Sequence, residues 1–147
     1  MKTDLTVAGY LINKGKVLLI HHRKLDLWLP VGGHIESDEN PDEALVREFK
    51  EETGIEIEVL DKSDLPIAGE VKFNLATPFY VNVHSVRDHD HIGFYYVCKV
   101  LSLNNLKINE EELKDLEWFE PEDLEQEKIP ADVRAQSLKA FELYEKL

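Results

Sequence analysis

Three carboxylates, Glu48, Glu51 and Glu52, fall close together in the stretch GGHIESDENPDEALVREFKEETGI. In a helix, residues three and four apart share a face, so these acids crowd one side and repel by about a few tenths of a kcal/mol per pair. Two readings account for such a cluster. One is a solvated acidic helix face in an acidic protein. The other is a site for a hard divalent cation, because Mg²⁺ prefers oxygen ligands and is shared between one or two protein carboxylates and substrate phosphates. Such a cation neutralises the crowding, stabilises charge on phosphoryl oxygens and activates water.

The helix that must carry these acids is bounded by its own signals. Asn40 followed by Pro41 reads as an N-cap with proline at the first helical position, and Glu43 completes the spacing of a capping box. Gly54 after Thr53 is the matching stop, which predicts a helix over 41–53. At about 100° per residue, Ala44, Glu48, Glu51 and Glu52 share one arc of about 80 to 100°, and Leu45, Val46, Phe49 and Thr53 the adjacent one. One face packs and the next presents acid.

Around this helix, TVAGYLINKGKVLLIHH reads as a β-hairpin turning at Asn13-Lys14-Gly15-Lys16, and RKLDLWLPVGGHIESDEN as a loop of unusual backbone shape. IEIEVL alternates as a strand does, and DKSDLPIAGE reads as a connection. TPFYVNVHSV and HIGFYYVCKVLSL read as neighbouring strands, LEWFEP as a short strand ended by Pro121, and EDL as a helical turn. DVRAQSLKAFELYEKL places Val133, Leu138, Phe141 and Leu143 or Tyr144 at helical spacing. Strands, helix, strands, helix in that order predict a mixed sheet with helices on both faces.

A chain of 147 residues suits one domain, 1–147, with a single substantial core. Thirty acidic against seventeen basic residues give a formal charge of -13, which repels bare nucleic acid and anionic membranes. A polyphosphate would be repelled as well, unless it arrives with divalent metal. No apolar run approaches a membrane span, and MKTDLTVAGY carries no cleavable apolar region, so the expected location is the cytoplasm. Cys98 is the one cysteine, which excludes an internal disulfide, and its strand-like surroundings predict a buried, inert thiol.

Read outward from the cluster, Gly33, Glu39, Arg47, Glu48, Phe49, Glu51, Glu52, Gly54 and Ile55 satisfy G-x5-E-x7-R-E-U-x-E-E-x-G-U, where U is apolar, at every fixed position. Over these 23 residues the chain closely resembles the Nudix hydrolase family. The resemblance implies an α/β/α sandwich with a mixed central β-sheet, and hydrolysis of a diphosphate linkage in a nucleoside diphosphate-linked compound or nucleoside triphosphate. Mg²⁺ is the implied cofactor, with Mn²⁺ as the alternative. It implies Glu48 and Glu52 as principal metal ligands, Glu51 in the metal shell and a backbone carbonyl, that of Gly32, completing the coordination. Arg47 would be held against a carboxylate such as Glu39 and fix the geometry of the cluster. The proton acceptor is either Glu52 or a glutamate outside the helix; related sequences point to the 109–112 loop, with Glu112 ahead of Glu111. The rival is a catalytically inactive Nudix-like domain that binds nucleotide as a sensor. It normally accompanies losses among the box glutamates, and all three are present here.

For the remainder of the substrate, Arg23 and His22 lead from the second strand toward the glycine loop, and Arg23 suits bidentate phosphate binding. His89 and His91, two apart in a strand, point the same way. With no third ligand type nearby in sequence they read as lining a substrate pocket rather than as a zinc site. Phe79, Tyr80, Phe94, Tyr95, Tyr96 and Trp28 are either stacking surfaces for a base or core. The expected partner is a small-molecule nucleotide-type substrate, with no nucleic acid, no membrane and a homodimer as one assembly.

Overall fold

Apolar alternation and turn chemistry set the first elements. The computed structural model describes residues 3–147; Met1 and Lys2, part of the stretch read for a leader, lie outside the described residues. Strands β1 (Thr3–Asn13) and β2 (Lys16–His22) form the expected antiparallel hairpin, with Ile12 opposite Val17 and Asn13 opposite Lys16. Lys14 and Gly15 both take positive φ, 52° and 77°, the two-residue turn whose twist matches the strands it joins.

The stretch after the hairpin departs from expectation. It holds two short strands, β3 (Leu27–Leu29) against β2 and β4 (Val31–His34) against β1, where a loop was predicted. Strands this short show no readable alternation, and paired glycines weaken the pattern further. Their ladder partners hold them in place.

Helix α1 (Pro41–Thr53) has the predicted bounds. Glu43 N–H donates to Asn40 Oδ1 at 2.9 Å and Asn40 N–H to Glu43 Oε1 at 3.0 Å, closing the capping box. Gly54 ends it in the left-handed region at φ 69°, its N–H donating to the Lys50 carbonyl. Then come β5 (Glu56–Val59), β6 (Tyr80–Val86), β7 (His89–Ser102), β8 (Leu113–Phe119), a 3-10 turn at Pro121–Glu125 and α2 (Ala131–Tyr144).

The long β7 organises the eight-stranded sheet. It runs parallel to β1 on one side and antiparallel to β6 and β5 on the other, along its first and second halves respectively. β2 carries β8 and β3. The parallel β1–β7 pair makes the sheet mixed. Each face has its own core. Leu45 and Phe49 of α1 pack on Val7, Leu11, Leu18, Tyr96 and Cys98; Val133 and Ala140 of α2 pack on Tyr10, Ile12, Leu19, Val97 and Phe119. The result is the expected α/β/α sandwich.

Two helix-face assignments need correction. Val46 is 40% exposed and Leu138 44%, whereas α2 buries Gln136 and Ser137 between Val133 and Ala140. Val133, Phe141, Leu143 and Tyr144 do pack on that core as their spacing predicts, and the Tyr10 hydroxyl donates to Gln136 Oε1 across it, so a polar contact takes the place expected of Leu138. Cys98 is fully buried, and burial pushes its thiol far above the ordinary range, leaving it inert. Among the described residues no helix is long and apolar enough to cross a membrane.

Candidate active site

The acid face of α1 looks toward β4. A Cβ on Gly33 would lie 2.5 Å from Glu48 Oε1, so glycine leaves the space that this carboxylate fills. A Cβ on Gly32 would meet the Val7 carbonyl oxygen at 2.2 Å, which restricts this close approach of β4 to β1 to glycine. In the ladder Gly32 faces Ala8 and Gly33 faces Val7.

Arg47 gathers the carboxylates. Its Nε and Nη2 donate to the two oxygens of Glu39 at 2.8 and 2.7 Å, a bidentate fork. Nη1 donates to Glu48 at 2.9 Å and to Glu51 at 3.2 Å, and Nη2 also reaches the His34 carbonyl at 3.0 Å. A lysine has one donor centre and could not span these partners. The Arg47 hydrogen bond holds the Glu39 carboxyl below its ordinary pKa, and the pairing raises that of Arg47.

Glu52 meets this clamp through Glu48 rather than through Arg47. Its residue is 3% exposed, and Oε2 is buried with no hydrogen-bond partner. Burial first, then a side-chain hydrogen bond to Glu48 and the charges of Glu48, Glu112 and Glu51, pushes its pKa up to about 10. Leaving a buried polar atom unsatisfied costs about 1–3 kcal/mol, a cost that a cation bound here would remove. An orphaned carboxyl oxygen, a neighbouring carboxylate and a glycine cradle form an all-oxygen donor set, which fits a hard divalent cation.

The C-terminal turn of α1 recruits a second acidic segment. Its end carbonyls have no partner within the helix, and Thr53 O and Glu52 O accept from the N–H groups of Lys107 at 2.9 Å and Asn109 at 2.8 Å. This pins the loop that continues through Glu110, Glu111 and Glu112, and Glu112 lies close enough to raise the pKa of Glu52. Arg23 secures the loop from the other side. Its N–H donates to the Glu112 carbonyl at 2.8 Å, Nε to Glu110 O at 2.9 Å and Nη2 to Leu113 O at 3.3 Å. His22 Nδ1 accepts from Leu25 N–H at 3.1 Å; burial lowers its pKa, and Glu112 works against that lowering. A cleft of about 800 Å³ opens beside Glu51, lined by Lys50, Lys107, Asn109 and Glu111.

His89 and His91 do not join this group. Gly33 faces α1, so the next residue, His34, points to the α2 face of the sheet. There His34 meets His89, His91 and Asp4, their donor atoms all within 4.8 Å of one another. The third and fourth partners, from β4 and β1, were absent from the sequence reading because only the strand register makes them neighbours. Trp28 lies in the core, stacked on His21 and edge-on to Phe119, with Lys128 Nζ 4.6 Å above its ring. Tyr95 and Tyr96 are buried too, while Tyr80 is exposed.

Comparison with known proteins gives a consistent picture. A family model described as the NUDIX domain matches residues 2–141. Nudix hydrolase 19, chloroplastic, of Arabidopsis thaliana is 31% identical over 108 residues, which is 74% of this chain and 22% of that protein. A "Probable DHNTP pyrophosphohydrolase" of Lactococcus lactis subsp. cremoris is 29% identical over 117 residues, 79% of this chain and 62% of its own length. The chain thus spans less than two thirds of either curated relative. A crystal structure of a NUDIX-family hydrolase from Clostridium perfringens superimposes with a TM-score of 0.82 at 30% identity, covering 98% of this chain and 99% of the other.

Proposed function

This chain belongs to the NUDIX family, and from that premise we propose that it is a metal-dependent pyrophosphohydrolase. It cleaves a diphosphate linkage in a nucleoside diphosphate-linked compound or nucleoside triphosphate. The observation that carries the reading is the buried, unpartnered Glu52 oxygen beside a Glu48 carboxylate held in place by Arg47. A sensor domain has no use for so costly an arrangement.

Glu48 and Glu52, with Glu51 beside them and the Gly32 carbonyl, would hold Mg²⁺, or Mn²⁺ in its place. When bound, such an ion supplies neutralisation of charge on phosphoryl oxygens and activation of water. Arg47 keeps Glu48 and Glu51 in one orientation while Glu39 fixes the guanidinium plane. Glu112 is the exposed carboxylate delivered to Glu52 by the 109–112 loop, and it takes the proton as water attacks one phosphorus and the bridging P–O bond breaks. Arg23 positions that loop through three backbone carbonyls rather than facing a phosphate directly. The Lactococcus relative, whose name specifies a pyrophosphohydrolase, supports the reaction class.

The test is a turnover screen of nucleoside triphosphates, nucleotide sugars, dinucleoside polyphosphates and ADP-ribose with Mg²⁺, reading out phosphorylated products. At least one should turn over in wild type and not in Glu52→Gln. Equal rates in both proteins would remove Glu52 from the site.

A further inference from the structure

The histidines on the α2 face form a second cluster of donor atoms, chemically distinct from the glutamates. Asp4 of β1, His34 of β4, and His89 and His91 of β7 place one ligand-type atom each within 4.8 Å of the others. The close contacts are His34 Nε2 to Asp4 Oδ2 at 3.3 Å, His89 Nε2 to Asp4 Oδ2 at 3.5 Å and His89 Nε2 to His91 Nε2 at 3.0 Å. Zinc binds imidazole nitrogen and carboxylate oxygen at about 2.0–2.2 Å, so the edge of its coordination tetrahedron is about 3.3–3.5 Å. Two of these separations match that edge and the third, 3.0 Å, is slightly shorter.

The register produces this convergence. Asp4 pairs with His91 across the parallel β1–β7 ladder, and Thr6 pairs with His34 across β1 and β4, so all four residues meet at one end of the sheet. His89 Nδ1 lies 3.0 Å from Asp88 Oδ1, which directs its proton to that side and turns the Nε2 lone pair toward the cluster. A carboxylate on the far nitrogen of a histidine is the usual outer support of a metal ligand.

We propose that Asp4, His34, His89 and His91 form a structural zinc site that ties β1, β4 and β7 together, separate from the carboxylate site on α1. Four protein donors close the coordination sphere, as structural zinc sites do, and leave no position for substrate. In the bound form the proton between the two Nε2 atoms moves to His91 Nδ1. Mixed imidazole and carboxylate donors favour zinc over magnesium, so the two faces of the sheet select different ions.

The experiment uses the full chain without a polyhistidine tag, stripped with chelator and held in excess Mg²⁺. Zn²⁺ is titrated by calorimetry, and Co²⁺ is followed by visible absorption as a spectroscopic stand-in. Wild type and Glu52→Gln should each take one Zn²⁺ and give the intense tetrahedral Co²⁺ spectrum. His89→Ala and His91→Ala should each bind at least about 100-fold more weakly, since loss of an outer support alone costs 10–100-fold. Metal-free melting of each variant confirms that it folds, and Asp4→Asn provides a second route to the same loss. Zinc retained in both histidine variants, zinc lost in Glu52→Gln, an octahedral cobalt spectrum, or no binding in wild type would each overturn the proposal.

Discussion

The two faces of the sheet gather donor atoms in opposite ways. On the α1 face, Glu48, Glu51 and Glu52 come from one helical turn, and a single arginine holds two of them. On the α2 face, Asp4, His34, His89 and His91 come from three strands, brought together by ladder register. The first arrangement is local in sequence, all oxygen, and carries one buried oxygen with no partner. The second is non-local, mostly nitrogen, and its members already contact one another. The difference teaches that an acidic cluster with an unsatisfied buried oxygen and a histidine cluster whose members contact one another lie on opposite faces of one sheet. His34 touches both, since its ring joins the histidines while its carbonyl receives Arg47.

The sharpest way to break this contrast is to neutralise the unsatisfied member. Glu52→Gln keeps the shape and removes the charge that a cation needs. Turnover with Mg²⁺ should fall by more than about 100-fold, because even outer-support losses at metal sites reach 10–100-fold. Steady-state rates measure it. Activity within a few-fold of wild type would remove Glu52 from the catalytic machinery.

Arg47→Lys tests the clamp next. Lysine keeps the charge but cannot fork to Glu39 while also reaching Glu48 and Glu51. A loss of about 10–100-fold is expected, with the Mg²⁺ concentration for half-maximal rate shifted upward. A change in substrate KM alone, with unaltered Mg²⁺ dependence, would assign Arg47 to substrate rather than to the carboxylates.

Legibility from sequence followed the same division. The bounds of α1 were readable because Asn40, Pro41, Glu43 and Gly54 are local signals whose geometry needs no partner element. The acid face was readable because helical spacing fixes which residues adjoin, although the burial of Glu52 was not, since burial depends on what the rest of the chain packs around the helix. Residue type alone offered Arg23 as a phosphate partner; its hold on the carbonyls of Glu110 and Leu113 was not legible, because it depends on where a distant loop folds. His89 and His91 stood out by their spacing, but Asp4 and His34 lie far from them in the chain. Two non-local pairings, β1 with β7 and β1 with β4, make the four adjacent. β3 and β4 were hidden for a related reason, being too short to display a period of two.

Melting curves separate the two sites with one pair of ions. Mg²⁺ at saturation should raise Tm by about 5 °C through binding to the native state alone, and Zn²⁺ added over Mg²⁺ should raise it again by a similar amount. Glu52→Gln should lose the first increment and keep the second; His91→Ala should do the reverse. If either variant lost both, the two clusters would be one coupled unit.

The smallest effect concerns the clamp in acid. Arg47 holds the Glu39 carboxyl below its ordinary value of 4.5, so the folded protein keeps this group ionised to lower pH than the unfolded chain does. The stability it contributes is therefore fully present above the unfolded value and is lost as pH falls through the depressed folded one. The window lies below pH 4.5. Urea melts of wild type and Glu39→Gln should diverge above that window and converge beneath it. Both proteins carry the same histidines, so their difference cancels the α2 face and isolates the glutamate side. A constant gap across the whole range would mean that Glu39 contributes shape rather than charge, and the Arg47 fork would then be held by Glu48 and the His34 carbonyl without it.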